Sequence, residues 1–359
     1  MYYFLHIFKI TYYQINLIFF HVPKNTLPEN FTKKKKMKKF IFLPPHSNII
    51  YEWQTRLIDI LDGWDIRVPK NRKEILNMIE NADAVFGTLD NEILAHAKKL
   101  KWIQAPAAAP PAGYYFDDLI NHPAIVTNFR GIYNDHISVH ILALMLNLTK
   151  HINIYINQQN NKKWEPLETP KFHSTFLPES TILIVGIGGI GHETARLCKA
   201  IGMEVIGIDE RIKEKPKYVD KLFSPSELDK QLKNADFVVL TIPHTPKTEG
   251  LFNLEKFKLM KESAYFINIG RGMTTKLDDL NKALRNGYIR GAGLDVYEIE
   301  PLPINHPLWN APNIILTPHI ATHGDLNIDE RRFEIILENF RRFENNKNLL
   351  NVVNKSLWY

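Results

Sequence analysis

The chain of 359 residues has a single cysteine, Cys198. It therefore has no intramolecular disulfide and no cysteine-rich zinc module, and a reducing compartment, the cytoplasm, is the expected setting. A basic excess is also missing from its body. The formal net charge is +6, but residues 1–36 hold Lys9, Lys24, Lys33, Lys34, Lys35 and Lys36 against Glu29; they carry +5 and leave +1 for the rest. A near-neutral body offers no stripe for a phosphate backbone, so no nucleic-acid partner is expected and the lysine run reads as a solvated tail. Long apolar runs are scarce too. Residues 2–22 are dense in Tyr, Phe and Ile, yet Lys9, Gln14 and Asn16 interrupt them and make a poor membrane span. The same stretch lacks the charged start and small-residue cleavage site of a secretory signal, and it has no Arg or Ser for a transit peptide. No membrane partner is expected. Met37 opens a fresh strand-like run, so the folded protein is expected to begin there. Residues 1–36 then form an N-terminal extension, disordered or not native; a weak membrane anchor is the alternative.

What is present is an ordinary globular composition. With 45% hydrophobic and 23% charged residues, disorder is excluded as the main state, and the length suits two domains. From Met37 onward short apolar runs alternate with helix-period runs, the pattern of an α/β protein. Strands are expected at 40–43, 65–68, 84–87, 102–104 and 124–128, with helices at 51–61, 72–80 and 91–100. One long helix is expected over 135–157. A polar stretch at 158–163, with Pro166 and Pro170, makes a linker. A second alternating block follows, with strands at 182–185, 205–208, 237–242, 265–269, 293–296 and 314–316. It closes on an amphipathic helix over 328–344. Two such blocks predict two parallel-sheet domains with a ligand cleft between them.

The strand at 182–185 runs into Gly186-Ile187-Gly188-Gly189-Ile190-Gly191 and then a helix. Glycines at positions 1, 3 and 6 permit a tight turn, a close backbone approach to a pyrophosphate, and close helix–strand packing. The helix start offers free N–H groups and a positive dipole end. Asp209 lies 18 residues past Gly191 and closes the next strand. A carboxylate there accepts from the ribose hydroxyls and repels a 2′-phosphate, favouring NAD over NADP. Arg211 and Lys213 sit just beyond and leave NADP open.

Three polar residues follow apolar strands of the second block: Arg271, Glu300 and His319. Strand carboxyl ends face the crevice of an open α/β sheet, so these side chains are expected to converge there. An arginine fork binds a carboxylate and polarises the carbonyl beside it. A histidine donates a proton to a forming alkoxide, and a carboxylate orients its ring. The set suits hydride transfer to a 2-oxo acid. Taken singly, Glu300 reads equally well as a surface turn residue and Arg271 as a cap. His323 competes with His319 but lies further along its loop. His136, His140 and His151 share a helix and read as packing or surface residues. His244 and His306 remain open as cleft-lining residues, and Cys198 reads as core. No metal cluster is expected.

Further motifs extend the pattern: Thr241-Ile242-Pro243-His244-Thr245-Pro246-Lys247-Thr248, Arg271-Gly272, the run 293–301, His306-Pro307-Leu308-Trp309, and Thr317-Pro318-His319-Ile320-Ala321. With the glycine loop and Asp209, they make the chain from Met37 to Val353 resemble the D-isomer-specific 2-hydroxyacid dehydrogenases. The resemblance implies a central Rossmann-type dinucleotide-binding domain (151–318). It also implies a smaller flavodoxin-like substrate domain split between 37–150 and 319–359. It implies Arg271 as the carboxylate-binding arginine, His319 as proton donor and acceptor, and Glu300 as its partner. Gly186, Gly188, Gly189, Ile190, Gly191, Asp209, Pro243 and Asp295 are implied on the cofactor. A homodimer is implied, with the long helix after Asp135 in its interface. The family's substrate loop, typically Ser-Ala-Gly-Val-Asp, holds the substrate carboxylate through backbone N–H groups. Here Ala108 and Ala109 retain such donors, whereas Pro110 and Pro111 have none. Val139 stands where the family helix usually carries a glutamate.

The expectation is an oxidoreductase that moves a hydride between NAD and a small 2-oxo acid or D-2-hydroxy acid. The alternatives are a dinucleotide-sensing scaffold of corepressor type and an NADPH-preferring glyoxylate or hydroxypyruvate reductase.

Overall fold

The structure, a computed structural model, describes residues 37–108, 113–168, 174–323 and 327–357. The N-terminal extension expected at 1–36 lies outside them, as do Ala109, Pro110 and Pro111.

The apolar runs of the first block pair into a parallel sheet of five strands: β1 (Lys38–Phe42), β2 (Trp64–Arg67), β3 (Ala84–Phe86), β4 (Trp102–Gln104) and β5 (Ile125–Thr127). Their order is β2-β1-β3-β4-β5. The crossovers contain α1 (Asn48–Ile60), α2 (Arg72–Ile79), α3 (Asn91–His96) and α4 (Asp117–Asn121). Sheets covered on both faces read as continuous apolar runs, and β3 and β4 are buried at every position.

After β5 the chain crosses on α5 (Asn134–Lys150) and α6 (Ile152–Asn160) to a second parallel sheet. It comprises β6 (Thr181–Val185), β7 (Glu204–Ile208), β8 (Lys221–Phe223), β9 (Phe237–Leu240), β10 (Tyr265–Asn268), β11 (Gly291–Leu294) and β12 (Ile314–Leu316). The order β12-β11-β10-β9-β6-β7-β8 reverses direction between β6 and β9, so a ligand crevice opens at their carboxyl ends. Helices α7 (Gly189–Ile201), α8 (Leu228–Leu232), α9 (Leu254–Leu259) and α10 (Leu277–Arg285) cover this sheet. The last helix, α11 (Asn327–Glu344), returns to the first sheet. Its Phe333, Ile336 and Phe340 join Phe40, Trp64 and Trp102 in one aromatic core. Buried Asn339 clasps the chain end, accepting from Leu350 N at 2.7 Å. Mixed α/β layers with two parallel sheets are the architecture the alternation predicts.

Two differences bear on the site. The expected helix 135–157 is broken into α5 and α6, which meet at 68°. His151 adopts a left-handed conformation (φ 56°), and the Asn147 side chain accepts from Asn153 N at 2.9 Å, capping α6 from the last turn of α5. In addition, α5, placed by the sequence with the first block, packs on the second sheet. Ile141, Leu144, Met145 and Leu148 recur at helical spacing and bury against Ile184, Tyr265 and Ile267. Among the described residues no single helix is long and apolar enough to cross a membrane.

Candidate active site

The glycine loop joins β6 to α7. Gly186 sits at φ +98°, a backbone conformation that favours glycine, and its carbonyl accepts from Thr241 Oγ1 at 2.5 Å. A Cβ on Gly191 would stand 2.0 Å from that same carbonyl oxygen, so α7 can lie this close to β6 only with glycine there. A Cβ on Gly188 would meet nothing within 4 Å, which leaves open space in front of the helix N-terminus. A pyrophosphate fits that arrangement of open backbone and helix dipole. Gly189 and Ile190 are backed by α5: Gly189 abuts the Asn134 side chain, and the Ile190 carbonyl accepts from Ser138 Oγ at 3.1 Å. An open cleft of about 780 Å³ lies beside the loop, lined by Gly188, Gly189, His192, Asn134 and Arg331 among others. Its lining does not include Arg271, Glu300 or His319.

Asp209 follows β7 and reaches back to the loop. Its Oδ2 accepts from Ile187 N at 2.9 Å, and Oδ1 accepts from Arg211 N at 2.8 Å and Ile212 N at 3.1 Å. Pro243 is exposed after β9, and its carbonyl accepts from Thr248 Oγ1 at 2.8 Å.

Arg271 leaves the carboxyl end of β10. Buried Asn268 fixes the turn, accepting from Gly270 N at 3.0 Å and donating to Arg271 O and to the hydroxyls of Thr274 and Thr275. Burial pulls the guanidinium below its ordinary pKa, and nearby Glu300 opposes that shift. An arginine remains a cation through such a change. Among the described residues its one hydrogen bond goes from Nη1 to Gly270 O, at 2.6 Å. A guanidinium has five N–H groups, so this one presents a charged, underfilled fork. Next to it, Gly272 lies so close to Tyr297 that a Cβ would stand 1.9 Å from the Tyr297 carbonyl. That approach brings the Arg271 turn against the segment carrying Glu300.

Glu300 Oε1 accepts from Tyr297 N at 2.9 Å, and Oε2 lies 2.8 Å from His319 Nδ1. The carboxylate thus fixes one ring nitrogen and leaves Nε2 for other work. His319 is half-exposed and held at φ +54°. Asp295 lies just past β11, whose bounds are two residues earlier than the alternation suggests. Its buried carboxylate accepts from Thr317 Oγ1 at 2.6 Å, Ile320 N at 2.9 Å and Ala321 N at 3.0 Å, which clamps the turn around His319.

Sequence reasoning set His140 aside, yet the structure places its Nε2 3.1 Å from Thr317 Oγ1. No motif marks it, because the contact spans from α5 to the end of β12. The other histidines have local tasks: His306 caps 307–310 by accepting from Leu308 N at 3.2 Å, and His244 approaches Glu249 at 3.4 Å. His323 follows His319 by four residues; its backbone N–H donates to Ile320 O at 2.9 Å. On the substrate side, Ala108 O accepts from Asn128 Nδ2 at 2.8 Å. Cys198 is buried, which pushes its thiol up to about 12. Among the described residues no group of three His, Cys, Asp or Glu side chains is placed to hold a metal ion.

Comparison with known proteins follows the same lines. Residues 142–321 match the family described as D-isomer specific 2-hydroxyacid dehydrogenase, NAD binding domain. A glyoxylate reductase of Thermofilum pendens is 32% identical over 284 residues, covering 76% of this chain and 81% of that protein. Among solved structures, a D-isomer specific 2-hydroxyacid dehydrogenase family protein from Aeromonas salmonicida is 29% identical with a TM-score of 0.76, covering 89% of this chain and 99% of that one. A D-isomer specific 2-hydroxyacid dehydrogenase from Xanthobacter autotrophicus Py2, solved in complex with NADPH and MES, is 26% identical with a TM-score of 0.76 and covers 90% of this chain and 100% of that one.

Proposed function

The chain belongs to the D-isomer specific 2-hydroxyacid dehydrogenase family, and from that premise we propose that it reduces a small 2-oxo acid of the glyoxylate type to the D-2-hydroxy acid, with NADH as the preferred cofactor. The observation that carries this reading is the half-buried, underfilled guanidinium of Arg271, near enough to Glu300 to feel its charge, with Glu300 in turn bound to His319. In this reading the first sheet with α11 (37–133 and 319–359) is the substrate side and 134–318 the cofactor side, in place of the division at 150 expected from the sequence. Helix α5 counts with the cofactor side, on whose core it packs.

A reduced nicotinamide held at the glycine loop would supply the hydride that C2 of the 2-oxo acid accepts. Arg271 holds the acid's carboxylate in its fork and draws electron density from the neighbouring carbonyl. As the C=O π pair moves onto oxygen, protonated His319 gives that oxygen its Nε2 proton. The ring is left neutral, with Nδ1–H still donated to Glu300, so the tautomer is fixed before and after the step. The backbone N–H of Ala108 would complete the carboxylate's partners; Ala109, the other expected donor, lies outside the described residues. Gly188, Gly189, Ile190 and Gly191 would hold the pyrophosphate, and Pro243 and Asp295 would lie toward the nicotinamide half.

The NADH preference rests on Asp209. Its carboxylate stands at the base of the glycine loop, where ribose hydroxyls donate and a 2′-phosphate is repelled. Arg211, adjacent in the same turn, supports NADPH as the second reading. A homodimer fits the apolar residues that α5 and α6 leave outside, among them Val139 (57% exposed), Ile152 and Ile156, together with Trp164 (96% exposed) in the segment that follows. A buried, lone cysteine fits a cytoplasmic setting.

The test is a panel of 2-oxo acids assayed with NADH and NADPH, following loss of reduced-nicotinamide absorbance. Turnover of a short 2-oxo acid with NADH is expected. Tight NADH binding without turnover on any acid overturns the reading in favour of a sensing role.

A further inference from the structure

The helix α5 serves the core through Ile141, Leu144, Met145 and Leu148. His140 turns elsewhere. Its side chain is 18% exposed, and Nε2 stands 3.1 Å from Thr317 Oγ1 and 3.7 Å from buried Asp295 Oδ1. Donor counting sets the direction of these contacts. Thr317 Oγ1 lies 2.6 Å from Asp295 Oδ1 and 3.3 Å from Leu294 O. Its single hydroxyl proton goes to the shorter, charge-assisted bond with the carboxylate. The hydroxyl oxygen is then an acceptor, and His140 donates to it from Nε2.

Asp295 carries the constraint onward. Oδ1 accepts from Ile320 N at 2.9 Å and Oδ2 from Ala321 N at 3.0 Å. These amides belong to the two residues directly after His319, whose backbone is left-handed at φ +54°. A side-chain-bearing residue stays in that region only where its surroundings hold it. The Thr317 main chain is already fixed: its N–H donates to Leu294 O at 2.9 Å, and its carbonyl accepts from Tyr297 OH at 2.8 Å. His140 adds a contact to the two side chains that complete the chain, the Thr317 hydroxyl at 3.1 Å and the Asp295 carboxylate at 3.7 Å.

We propose that His140 is a positioning residue for His319: its Nε2–H, through Thr317 Oγ1 and the Asp295 carboxylate, holds the left-handed turn that presents the His319 ring to the 2-oxo acid. It touches neither substrate nor cofactor. The role rests on the reductase reading above.

The experiment compares the full chain with His140→Leu, His140→Gln, Thr317→Val and the double variant His140→Leu/Thr317→Val. Leucine keeps bulk without a donor; glutamine restores an uncharged N–H at similar reach. Hydrogen exchange of the peptide spanning 317–323 is read alongside single-turnover hydride transfer, KM and thermal midpoint. His140→Leu is expected to speed exchange at the Ile320 and Ala321 amides and to slow hydride transfer about tenfold, the effect of one lost hydrogen bond, with KM little changed. His140→Gln is expected to recover both readouts. Thr317→Val, which also removes the bond to Asp295, should be impaired at least as much as the leucine variant, and the double variant should lose nothing beyond Thr317→Val, because one chain is broken twice. Wild-type exchange and rate in His140→Leu overturn the proposal, and so does a glutamine variant as impaired as the leucine one. Should the wild type reduce no 2-oxo acid, the reductase reading and the role at His319 fall together, while the exchange data still decide whether the hydrogen-bond chain exists.

Discussion

Two glycines in one loop should respond to the same substitution with different effects on stability. At Gly191 an added Cβ would stand 2.0 Å from Gly186 O and 3.0 Å from Thr241 Oγ1. Neither neighbour can retreat. The Gly186 carbonyl is tied to Thr241 Oγ1 at 2.5 Å, and Gly186 N donates to Ile208 O at 2.7 Å. Relief to ordinary contact requires α7 to move out by more than about 1 Å, against α5, to which Ser138 and Thr194 bind it. Overpacking of this kind costs about 1–3 kcal/mol. The displaced helix also draws its N-terminal N–H groups away from the pyrophosphate, which weakens cofactor binding. Gly188 is the opposite case. Its φ of −68° suits alanine and a Cβ meets no protein atom within 4 Å, so stability should stay within about 1 kcal/mol of wild type. The new methyl instead points into the space assigned to the pyrophosphate. Thermal unfolding and NADH fluorescence titration read the two effects apart. Gly191→Ala should lose both stability and affinity, and Gly188→Ala affinity alone. Wild-type NADH affinity in Gly188→Ala would refute the placement of the cofactor on this loop.

Arg271→Lys should raise KM for the 2-oxo acid and lower kcat, because a single ammonium cannot grip a carboxylate as a fork does; steady-state kinetics on the best substrate of the panel check this. Asp209→Arg should raise the ratio of NADPH to NADH activity, and an unchanged ratio removes Asp209 from the ribose site. Through its hydrogen bonds to Asp135, Arg331 holds that carboxyl down to about 2. The pair therefore adds stability above the ordinary carboxylate range and loses it as pH falls toward that value. Half exposed, it should contribute under about 1 kcal/mol. Asp135→Asn is expected to unfold slightly earlier than wild type near neutrality, with the difference closing in acid melts.

Local chemistry was readable in the chain; long-range contacts were not. The glycine loop, Asp209 and the strand-end residues Arg271, Glu300 and His319 are fixed by turns and strand ends that leave a local mark. The Glu300–His319 contact could be anticipated because both residues follow neighbouring strands of one sheet. His140 could not, since a histidine in an apolar helix reads the same whether it meets solvent or a buried threonine. The break at His151 was hidden for a related reason: Asn147 caps α6 through a side chain, while the apolar period runs on across the bend. Strand β8, three residues at the sheet's edge, is too short for alternation to show. The placement of α5 on the second sheet depends on which apolar surface its face complements, something spacing along one helix does not encode.

The most direct measurement of the central claim is single-turnover hydride transfer in His319→Ala with NADH bound. Cofactor affinity should be unchanged, and the transfer rate should fall by about two to four orders of magnitude. A near-wild-type rate with bound NADH would contradict the assignment of His319, braced by Glu300, as the proton donor.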